Sequence, residues 1–362
     1  MKKTAIIYLL CNDEPEKYLE NALKGVISQT YPKENMSLTI VYNPVANADV
    51  HLQYINETIS LFSAQLPKTV VLPQETNIGF SAGNNVGMNW AIENNFDYVF
   101  LHNGDGYLQS SAIESMVGVL EKDEKIGQVQ ALMLLDPEND LINSAGNNFH
   151  YLGIGYCANF RQPVRDFKFV EIADIGYASG AATMLRVDLL KKFGLWNESF
   201  FLYHEDTEYS LRLKIKGYRI CLAGKALFYH RYEFNKKKYN KFYWIERNRH
   251  VLQLLFYRWP TIILLLPLEV LYNLGLIVYS AIAGWLPELV KTYVYWLQPK
   301  NWRFWLKARR EIQKDRRLSD RELISGFSVT VDSEVILSKV IRQTMNAVFT
   351  IYNFLLKILI HW

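Results

Sequence analysis

Strand-like and helix-like patterns alternate through the first hundred residues of this 362-residue chain. Short apolar runs are typical of buried strands, whereas apolar residues that recur every three or four positions are typical of helices. The alternation predicts an α/β fold in which helices flank a mostly parallel central sheet. The predicted strands cover residues 4–10, 38–42, 68–72 and 98–102, and the predicted helices cover residues 16–31, 51–66 and 81–94.

The predicted strands run into polar residues, among them Asn12, Asn43, Asn77 and Asp105. In sheets of this type, ligands bind beyond the carboxyl ends of the strands. The carboxylate of Asp105 can bind a hard divalent cation there, and such a cation can neutralise a diphosphate. An Asn-Gly-Asp turn without any ligand stays open as the alternative, because these residues are common in turns.

Glycines recur at every fourth position across the third strand–helix junction, at Gly79, Gly83 and Gly87. They would allow a backbone or a ligand to approach closely. Their spacing differs from the GxGxxG fingerprint of dinucleotide-binding proteins. A face of small residues that packs the helix on the sheet is the alternative interpretation.

Three carboxylates, Glu205, Asp206 and Glu208, directly follow an aromatic run. Acidic clusters at apolar borders often carry acid–base chemistry. The helix predicted at residues 205–216 would begin with these acids, and its dipole favours their ionised forms. Ordinary capping of a helix is the alternative. His230 follows the apolar run 221–229, and a histidine that returns near an acidic cluster gains interest as a functional residue.

The amino terminus imitates a short signal peptide, with Lys2 and Lys3 before an apolar run. The run is short, and Leu10 is not the small residue that cleavage requires. We therefore interpret it as a buried first strand. The three cysteines have no metal-ligand spacing and fit a reducing compartment. These features predict a cytoplasmic catalytic part.

The last third of the chain is basic and apolar. Residues 231–321 carry a net charge of +11 against +4 for the whole chain, so the remainder carries −7. Residues 260–286 are almost entirely apolar, and residues 335–362 form an apolar helix with one polar stripe. Spanning, re-entrant and interfacial placements of residues 260–286 stay open, and we favour interfacial or shallow insertion.

An anionic membrane surface is the predicted partner of this region, because its basic residues alternate with long apolar runs. Nucleic acid is not expected, since no known binding motif is present. For the second helix, capping of the soluble core is the alternative to a place in the membrane interface. We predict a catalytic domain at residues 1–250 and a helical membrane-associating region at residues 251–362.

Together, the motifs resemble inverting family 2 glycosyltransferases of the GT-A fold, particularly their rhamnosyltransferase-like branch. The resemblance covers roughly residues 3–250, and the order and spacing of its motifs are more specific than any single motif. The matching strings are Asn77-x-Gly79-Phe80-x-x-Gly83-x-Asn85-x-Gly87, Asp97-Tyr98-Val99-x-x-x-Asn103-x-Asp105, Ser179-Gly180-Ala181-Ala182-x-x-x-Arg186, Gly194-x-x-Asn197-Glu198-x-Phe200-Phe201, Glu205-Asp206-x-Glu208, Gly217-Tyr218-Arg219 and His230.

The resemblance implies a role for each of these positions. Asp105 would hold Mg²⁺ or Mn²⁺, His230 would complete the metal shell, and Asp206 would deprotonate the acceptor hydroxyl. The donor side is implied to comprise Asn12, Asn43, Asn77, Gly79, Asn85, Asn103 and Asp105. The acceptor side is implied to comprise Ser179, Gly180, Trp196, Glu205 and Glu208.

The implied activity is metal-dependent transfer of a sugar from a nucleotide-diphospho donor to a hydroxyl of a lipid-linked glycan or cell-surface polysaccharide precursor. The donor would be of the dTDP-rhamnose or UDP-hexose type. The enzyme would lie at the cytoplasmic face of the cell membrane, as a peripheral or monotopic protein. Assembly into a homo-oligomer stays open.

The chain departs from the family pattern at two positions that bear on donor binding. Tyr42 stands where the family usually has an Asp, and the acidic motif begins with Asn103, so that Asp105 is its only carboxylate.

Two other functions stay open at this point. A polyprenyl-phosphate sugar synthase would transfer to a phosphate and need no base, which the cluster at 205–208 argues against. A non-catalytic nucleotide-sugar-binding scaffold is supported only by Tyr42 and Asn103, whereas Asp105, Asp206 and His230 all remain.

Overall fold

The structure is a computed structural model that describes residues 1–11, 13–45, 48–232, 240–332 and 339–362. Contacts within the chain define two compact units, each assembled from separated stretches of sequence. The first comprises Met1–Asn147, Cys157–Phe201 and Arg219–Glu233, and the second comprises Asn148–Tyr156, Leu202–Tyr218 and Phe234–Trp362. The predicted division at residue 250 stays a prediction.

Strands and helices alternate along the first half of the chain, as the sequence predicts. In chain order they are β1 (Thr4–Cys11), α1 (Glu14–Ile27), β2 (Met36–Asn43), α2 (Ala48–Phe62), β3 (Lys68–Pro73), α3 (Phe80–Glu93), β4 (Tyr98–Asn103), β5 (Gly106–Leu108), α4 (Ala112–Lys122), β6 (Ile126–Leu135), β7 (Ile142–Ser144), β8 (Asn147–Phe149) and β9 (Gly155–Cys157).

Helices become more frequent in the second half. In chain order the elements are β10 (Ile172–Asp174), β11 (Ala182–Arg186), α5 (Val187–Phe193), α6 (Glu205–Ile215), β12 (Arg219–His230), α7 (Asn240–Phe256), α8 (Trp259–Ala283), α9 (Leu286–Trp296), α10 (Pro299–Gln313), α11 (Asp320–Ser325) and α12 (Lys339–Leu359).

One large mixed sheet forms the core of the first unit, in the order β10-β12-β6-β11-β4-β1-β2-β3. β1 runs parallel to both β2 and β4, so the carboxyl ends of these strands share one edge of the sheet. The register pairs Cys11 with Asn43 and Leu9 with Asn103. This arrangement confirms the predicted α/β fold class and brings the predicted polar strand ends to one edge.

The apolar runs become strands because both faces of the sheet are covered. Ile6, Ile40 and Phe100 are fully buried in one core cluster. The antiparallel β11 lies between β4 and β6, which makes the sheet mixed. β12 was not predicted as a strand, because Gly224 and a register irregularity between Ala223 and Leu227 interrupt its pattern.

Helices α6 to α12 belong to the second unit. Within the described part of the chain, α8 is the helix that is long and apolar enough to cross a membrane. Only 17% of its most apolar 18-residue window is buried. α12 lies where the sequence predicts an amphipathic helix, and residues 335–338 of that prediction lie outside the described residues.

Candidate functional site

The turn after β4 brings Asp105 against His230, the last residue of β12. β5 follows the turn directly and pairs antiparallel with the end of β12, so that Gly106 lies opposite His230. Asp105 Oδ1 is 3.0 Å from His230 Nε2. The Asn103 amide donates a 2.6 Å hydrogen bond to Asp105 Oδ1. Two predicted metal ligands that lie 125 positions apart in the chain therefore converge.

The contacts of His230 orient its ring towards Asp105. Nδ1 lies 2.9 Å from Asn143 Oδ1, and Nε2 faces the Asp105 carboxylate. An imidazole nitrogen and a carboxylate oxygen are both ligands for divalent cations. Among the described residues, no third His, Cys, Asp or Glu joins them to make a group of three. Two protein ligands suffice for Mg²⁺ when substrate phosphates and water supply the others.

Glu14 packs against the turn that contains Gly104 and Asp105, and it was not predicted from the sequence. Its Oε2 accepts a 2.7 Å hydrogen bond from the Cys11 backbone and approaches Gly104 so closely that no side chain fits there. Burial and the nearby Asp105 carboxylate raise the pKa of Glu14 to about 7. Its position directly after β1, at the polar strand end, was the signal available in the sequence.

Asn43 and Asn77 hold the loop before α3. The Asn43 amide donates 3.1 Å hydrogen bonds to Asn77 Oδ1 and to the Gly79 carbonyl, and Ile78 N–H donates to Asn43 Oδ1 at 2.9 Å. Gly79 has a φ of +90°, a backbone conformation that residues other than glycine rarely adopt. These contacts fix the loop that carries part of the predicted donor side. Tyr42 is buried and its hydroxyl lies 2.7 Å from His51 Nδ1, so it packs in the core.

Asn85 ties α3 to the loop that contains Trp196. Its amide donates 2.9 Å hydrogen bonds to the Trp196 carbonyl and to Glu198 Oε1, and Trp196 N–H donates to Asn85 Oδ1 at 3.1 Å. The Trp196 ring is buried and packs against Gly180. Ser179 N–H donates to Gln130 Oε1 at 2.8 Å. The predicted acceptor residues of the first unit thus form one packed group with Asn85.

The three acids at the start of α6 lie in different environments. Glu208 is fully buried and forms an ion pair with Arg212 one turn later. Glu205 is buried as well, and burial together with the neighbouring Asp206 raises its pKa well above the ordinary range. Asp206 is partly exposed, and its Oδ1 accepts a 2.6 Å hydrogen bond from Thr207 N–H. Asp206 is therefore the most exposed acid of the cluster.

The backbone before α6 is strained, and a side chain of α7 forms hydrogen bonds with it. Tyr203 and His204 have φ values of 65° and 69°, in the left-handed region that bulky residues rarely adopt. The buried Asn248 amide donates to the carbonyls of Leu202 and Tyr203 at 3.1 and 2.7 Å. Asn248 was missed because no sequence pattern distinguishes it from its polar neighbours in α7.

The predicted residues fall into separate groups. Asp105 and His230 belong to the first unit and Asp206 belongs to the second, so a shared site remains a prediction. Asn12 lies outside the described residues. Asn43, Asn77 and Gly79 form one hydrogen-bonded loop, whereas Asn85, Ser179, Gly180 and Trp196 form the packed group described above.

A family model described as "Glycosyltransferase like family 2" matches residues 6–252 of the chain. No curated protein sequence matches this chain. Among solved structures, GalNAc-T7 with UDP, GalNAc and Mn²⁺ has a TM-score of 0.54 and 13% identity, over 70% of this chain and 48% of that chain. This chain therefore spans about half the length of GalNAc-T7. At such an identity the likeness concerns the fold.

Two other solved structures are similar at lower scores. The mannosyltransferase PcManGT from Pyrobaculum calidifontis, in complex with GDP-Man and Mn²⁺, has a TM-score of 0.49 and 14% identity, over 86% of this chain and 84% of that chain. S. aureus TarS 1-349 in complex with UDP-GlcNAc has a TM-score of 0.47 and 16% identity, over 70% of this chain and 66% of that chain.

Proposed function

The chain belongs to glycosyltransferase-like family 2 and has the GT-A fold, and from this premise we propose that it is an inverting, metal-dependent hexosyltransferase. It moves a sugar from a nucleotide-diphospho donor to a hydroxyl of a lipid-linked glycan or cell-surface polysaccharide precursor. We place it in the rhamnosyltransferase-like branch, with a dTDP-rhamnose or UDP-hexose donor. The enzyme works at the cytoplasmic face of the cell membrane.

The pairing of Asp105 with His230 at the carboxyl edge of the sheet is the observation that carries this proposal. These two residues would hold Mg²⁺ or Mn²⁺. A bound ion would supply positive charge that stabilises the leaving diphosphate. GalNAc-T7, which shares the fold, was crystallised with UDP and Mn²⁺, and this supports a nucleotide donor and a divalent ion here.

Asp206 accepts the proton of the acceptor hydroxyl in this proposal. Its partial exposure and its place at the first turn of α6 support that role. Glu205 and Glu208 are buried and shape the helix start. Inverting transfer needs a base on one face of the sugar and charge stabilisation of the leaving group on the other, so base and metal can belong to different parts of the chain.

A thermal-shift screen of nucleotide sugars with Mg²⁺ or Mn²⁺ tests donor binding. A donor that binds the folded protein raises the melting temperature by mass action. The Asp105→Ala variant should lose the part of the shift that depends on the metal, and Asp140→Ala, an exposed acid of the same unit, should keep it. A full metal-dependent shift in Asp105→Ala would contradict the metal assignment.

The role of Asp206 is tested with the donor that the screen identifies. Asp206→Asn should keep the donor-induced thermal shift, because the substitution preserves shape. Sugar transfer should fall by about 10²–10⁴, the typical contribution of a positioned base. Turnover at the unsubstituted rate would remove Asp206 from the mechanism while leaving donor binding intact.

A further inference from the structure

One set of apolar side chains of α8 points away from the rest of the second unit. Ile263, Leu266, Val270, Leu274 and Val278 recur every three or four residues and are each at least 51% exposed. Such spacing places them on one face of the helix. We call this set the α8 stripe. A soluble protein would normally bury a continuous apolar stripe of this length.

The polar residues of α8 lie on its other face and are paired inside the protein. Glu269 forms a 2.8 Å ion pair with the buried Arg249 of α7. The Asn273 amide donates to Glu269 Oε2 at 3.1 Å, and Tyr293 of α9 donates to Asn273 Oδ1 at 3.0 Å. α8 therefore buries its one charged residue, Glu269, while the α8 stripe is exposed, which is the reverse of a surface helix in water.

α12 also exposes apolar side chains. Ile351, Phe354 and Ile358 are at least 51% exposed, whereas Asn353 is buried. Asn346 exchanges two hydrogen bonds with the backbone of Val331. The polar stripe that the sequence predicts is thus turned partly towards the protein. An apolar solvent explains this orientation better than water does.

α12 and the residues that follow it contact the first part of α8 through two hydrogen bonds. The Tyr352 hydroxyl of α12 donates to the Leu264 carbonyl of α8. Beyond α12, the Trp362 indole N–H donates a 2.9 Å hydrogen bond to Thr261 Oγ1. The second half of α12 and the chain end beyond it therefore lie against the first turns of α8.

α10 adds positive charge to the same unit. Lys300, Arg303, Lys307 and Arg310 are exposed, recur every three or four residues, and form no ion pair with any residue that the structure describes. One acid, Glu311, lies beside them. We call the four cations the α10 stripe. Anionic phospholipid head groups match both its charge and its spacing along a helix.

α10 also meets the beginning of α8. The Arg309 guanidinium lies 4.7 Å from the centre of the Trp259 ring, and Trp259 is half exposed. Tryptophan with a neighbouring cation is typical of the membrane–water interface. The beginning of α8 therefore carries a tryptophan–arginine pair of the kind found in a headgroup region.

We propose that the outward faces of α8 and α12 embed in one leaflet of an anionic phospholipid bilayer, with the α10 stripe at the head groups. α8 is about 37 Å long at 1.5 Å per residue and could cross a bilayer. Crossing would carry the ion pair of Glu269 with Arg249 to the bilayer centre, where charges are costly. The pair therefore favours a helix that lies along the interface. This deepens the proposed function by naming the surface that meets the membrane.

Flotation of the full chain with vesicles tests the proposal. One set contains phosphatidylcholine alone, and the other contains equal amounts of phosphatidylcholine and phosphatidylglycerol. Binding should be tighter to the anionic set and weaken with added salt. Leu266→Asp with Leu274→Asp should lower partitioning into both sets at least about tenfold. Lys307→Gln with Arg310→Gln should lower partitioning about tenfold or more into the anionic set only.

Leu61→Asp is the matched control, because Leu61 is an exposed leucine of the first unit. It should float like the unsubstituted protein, and circular dichroism should show that all variants are folded. Unchanged flotation of the α8 variant would overturn the proposal. A second copy would be the true occupant if that variant turned a dimer into a monomer without changing flotation. Since no sugar nucleotide is used, a failed glycosyltransferase assay would leave this result unaffected.

Discussion

At the scale of single residues, burial distinguishes acids that the sequence presents as equivalent. Glu205, Asp206 and Glu208 are near neighbours in one helix turn. Glu208 is paired with Arg212, whereas the buried Glu205 forms no ion pair with any described residue. Only Asp206 is partly exposed within this cluster. The sequence predicted the cluster and its helix, but the environment of each carboxylate depends on neighbours that lie far away in the chain.

Glu205 offers a prediction about pH. Burial raises its folded-state pKa above that of the unfolded chain, so the unfolded chain loses the proton at lower pH. The free energy of unfolding therefore falls as pH rises above the ordinary carboxyl range. Glu205→Gln cannot ionise and should raise the melting temperature at pH 8 by a few degrees, but change it less at pH 5. Equal effects at both pH values would contradict the assigned protonation.

Asn248 offers a prediction about backbone order. Its amide donates to two carbonyls of the strained segment before α6. Asn248→Asp keeps the shape but loses both donors, so amide hydrogens of residues 203–208 should exchange at least about tenfold faster. Asn301→Asp removes a comparable amide–carbonyl bond at Tyr295 and should leave that segment unchanged. Hydrogen exchange with mass spectrometry measures both variants, and unaltered exchange in Asn248→Asp would refute the restraint.

At the scale of elements, buried strands were predicted well and helix orientation was not. Both faces of β1 and β4 are covered, so these strands consist of continuous apolar runs. Such runs can be recognised from the sequence alone. β12 was missed, since Gly224 interrupts its pattern. For α8, the sequence showed Glu269 as an interruption of an apolar segment. Its partner Arg249 lies 20 residues away, and only the packing of α7 on α8 explains why the acid is tolerated.

The ion pair between α7 and α8 should be important for stability. Arg249 contacts both Glu246 and Glu269, and all three side chains are buried. Arg249→Met would leave two buried carboxylates without their cation and should lower the free energy of unfolding by about 3–5 kcal/mol. Arg310→Met removes an exposed arginine and should change it by less than about 0.5 kcal/mol. Denaturant unfolding followed by tryptophan fluorescence compares them, and equal midpoints would exclude a stabilising role.

At the scale of the whole molecule, sequence order hides the grouping of the chain. Residues 148–156 and 202–218 belong to the second unit, although in the sequence they stand between long stretches of the first unit. Tyr257 donates to the Tyr151 carbonyl, and Tyr156 donates to the Thr330 carbonyl. A chain ending near residue 255 would lose such partners. Point substitutions in the full chain therefore report membrane binding more clearly than truncation does.

Four histidines, in both units, should make the protein sensitive to acid. Burial lowers the pKa of His102 and His204 to about 4, and that of His150 and His250 to about 3. In the unfolded chain each has a pKa of about 6.5. Between pH 6.5 and 4 the unfolded chain therefore binds protons that the folded protein does not. Each histidine then lowers the free energy of unfolding by at most about 1.4 kcal/mol per pH unit.

Thermal melting at constant ionic strength from pH 7.5 to pH 4.5 measures this loss. The stability contributed by the neutral rings is complete above pH 6.5 and falls as pH drops, so the melting temperature should decrease steeply below pH 6. His150 Nε2 donates to the Val329 carbonyl, a bond that a glutamine amide can replace without binding a proton. His150→Gln should make the acid limb less steep, because it removes one of the groups that bind a proton on unfolding. A curve parallel to that of the unsubstituted protein would show that His150 is already protonated in the folded state.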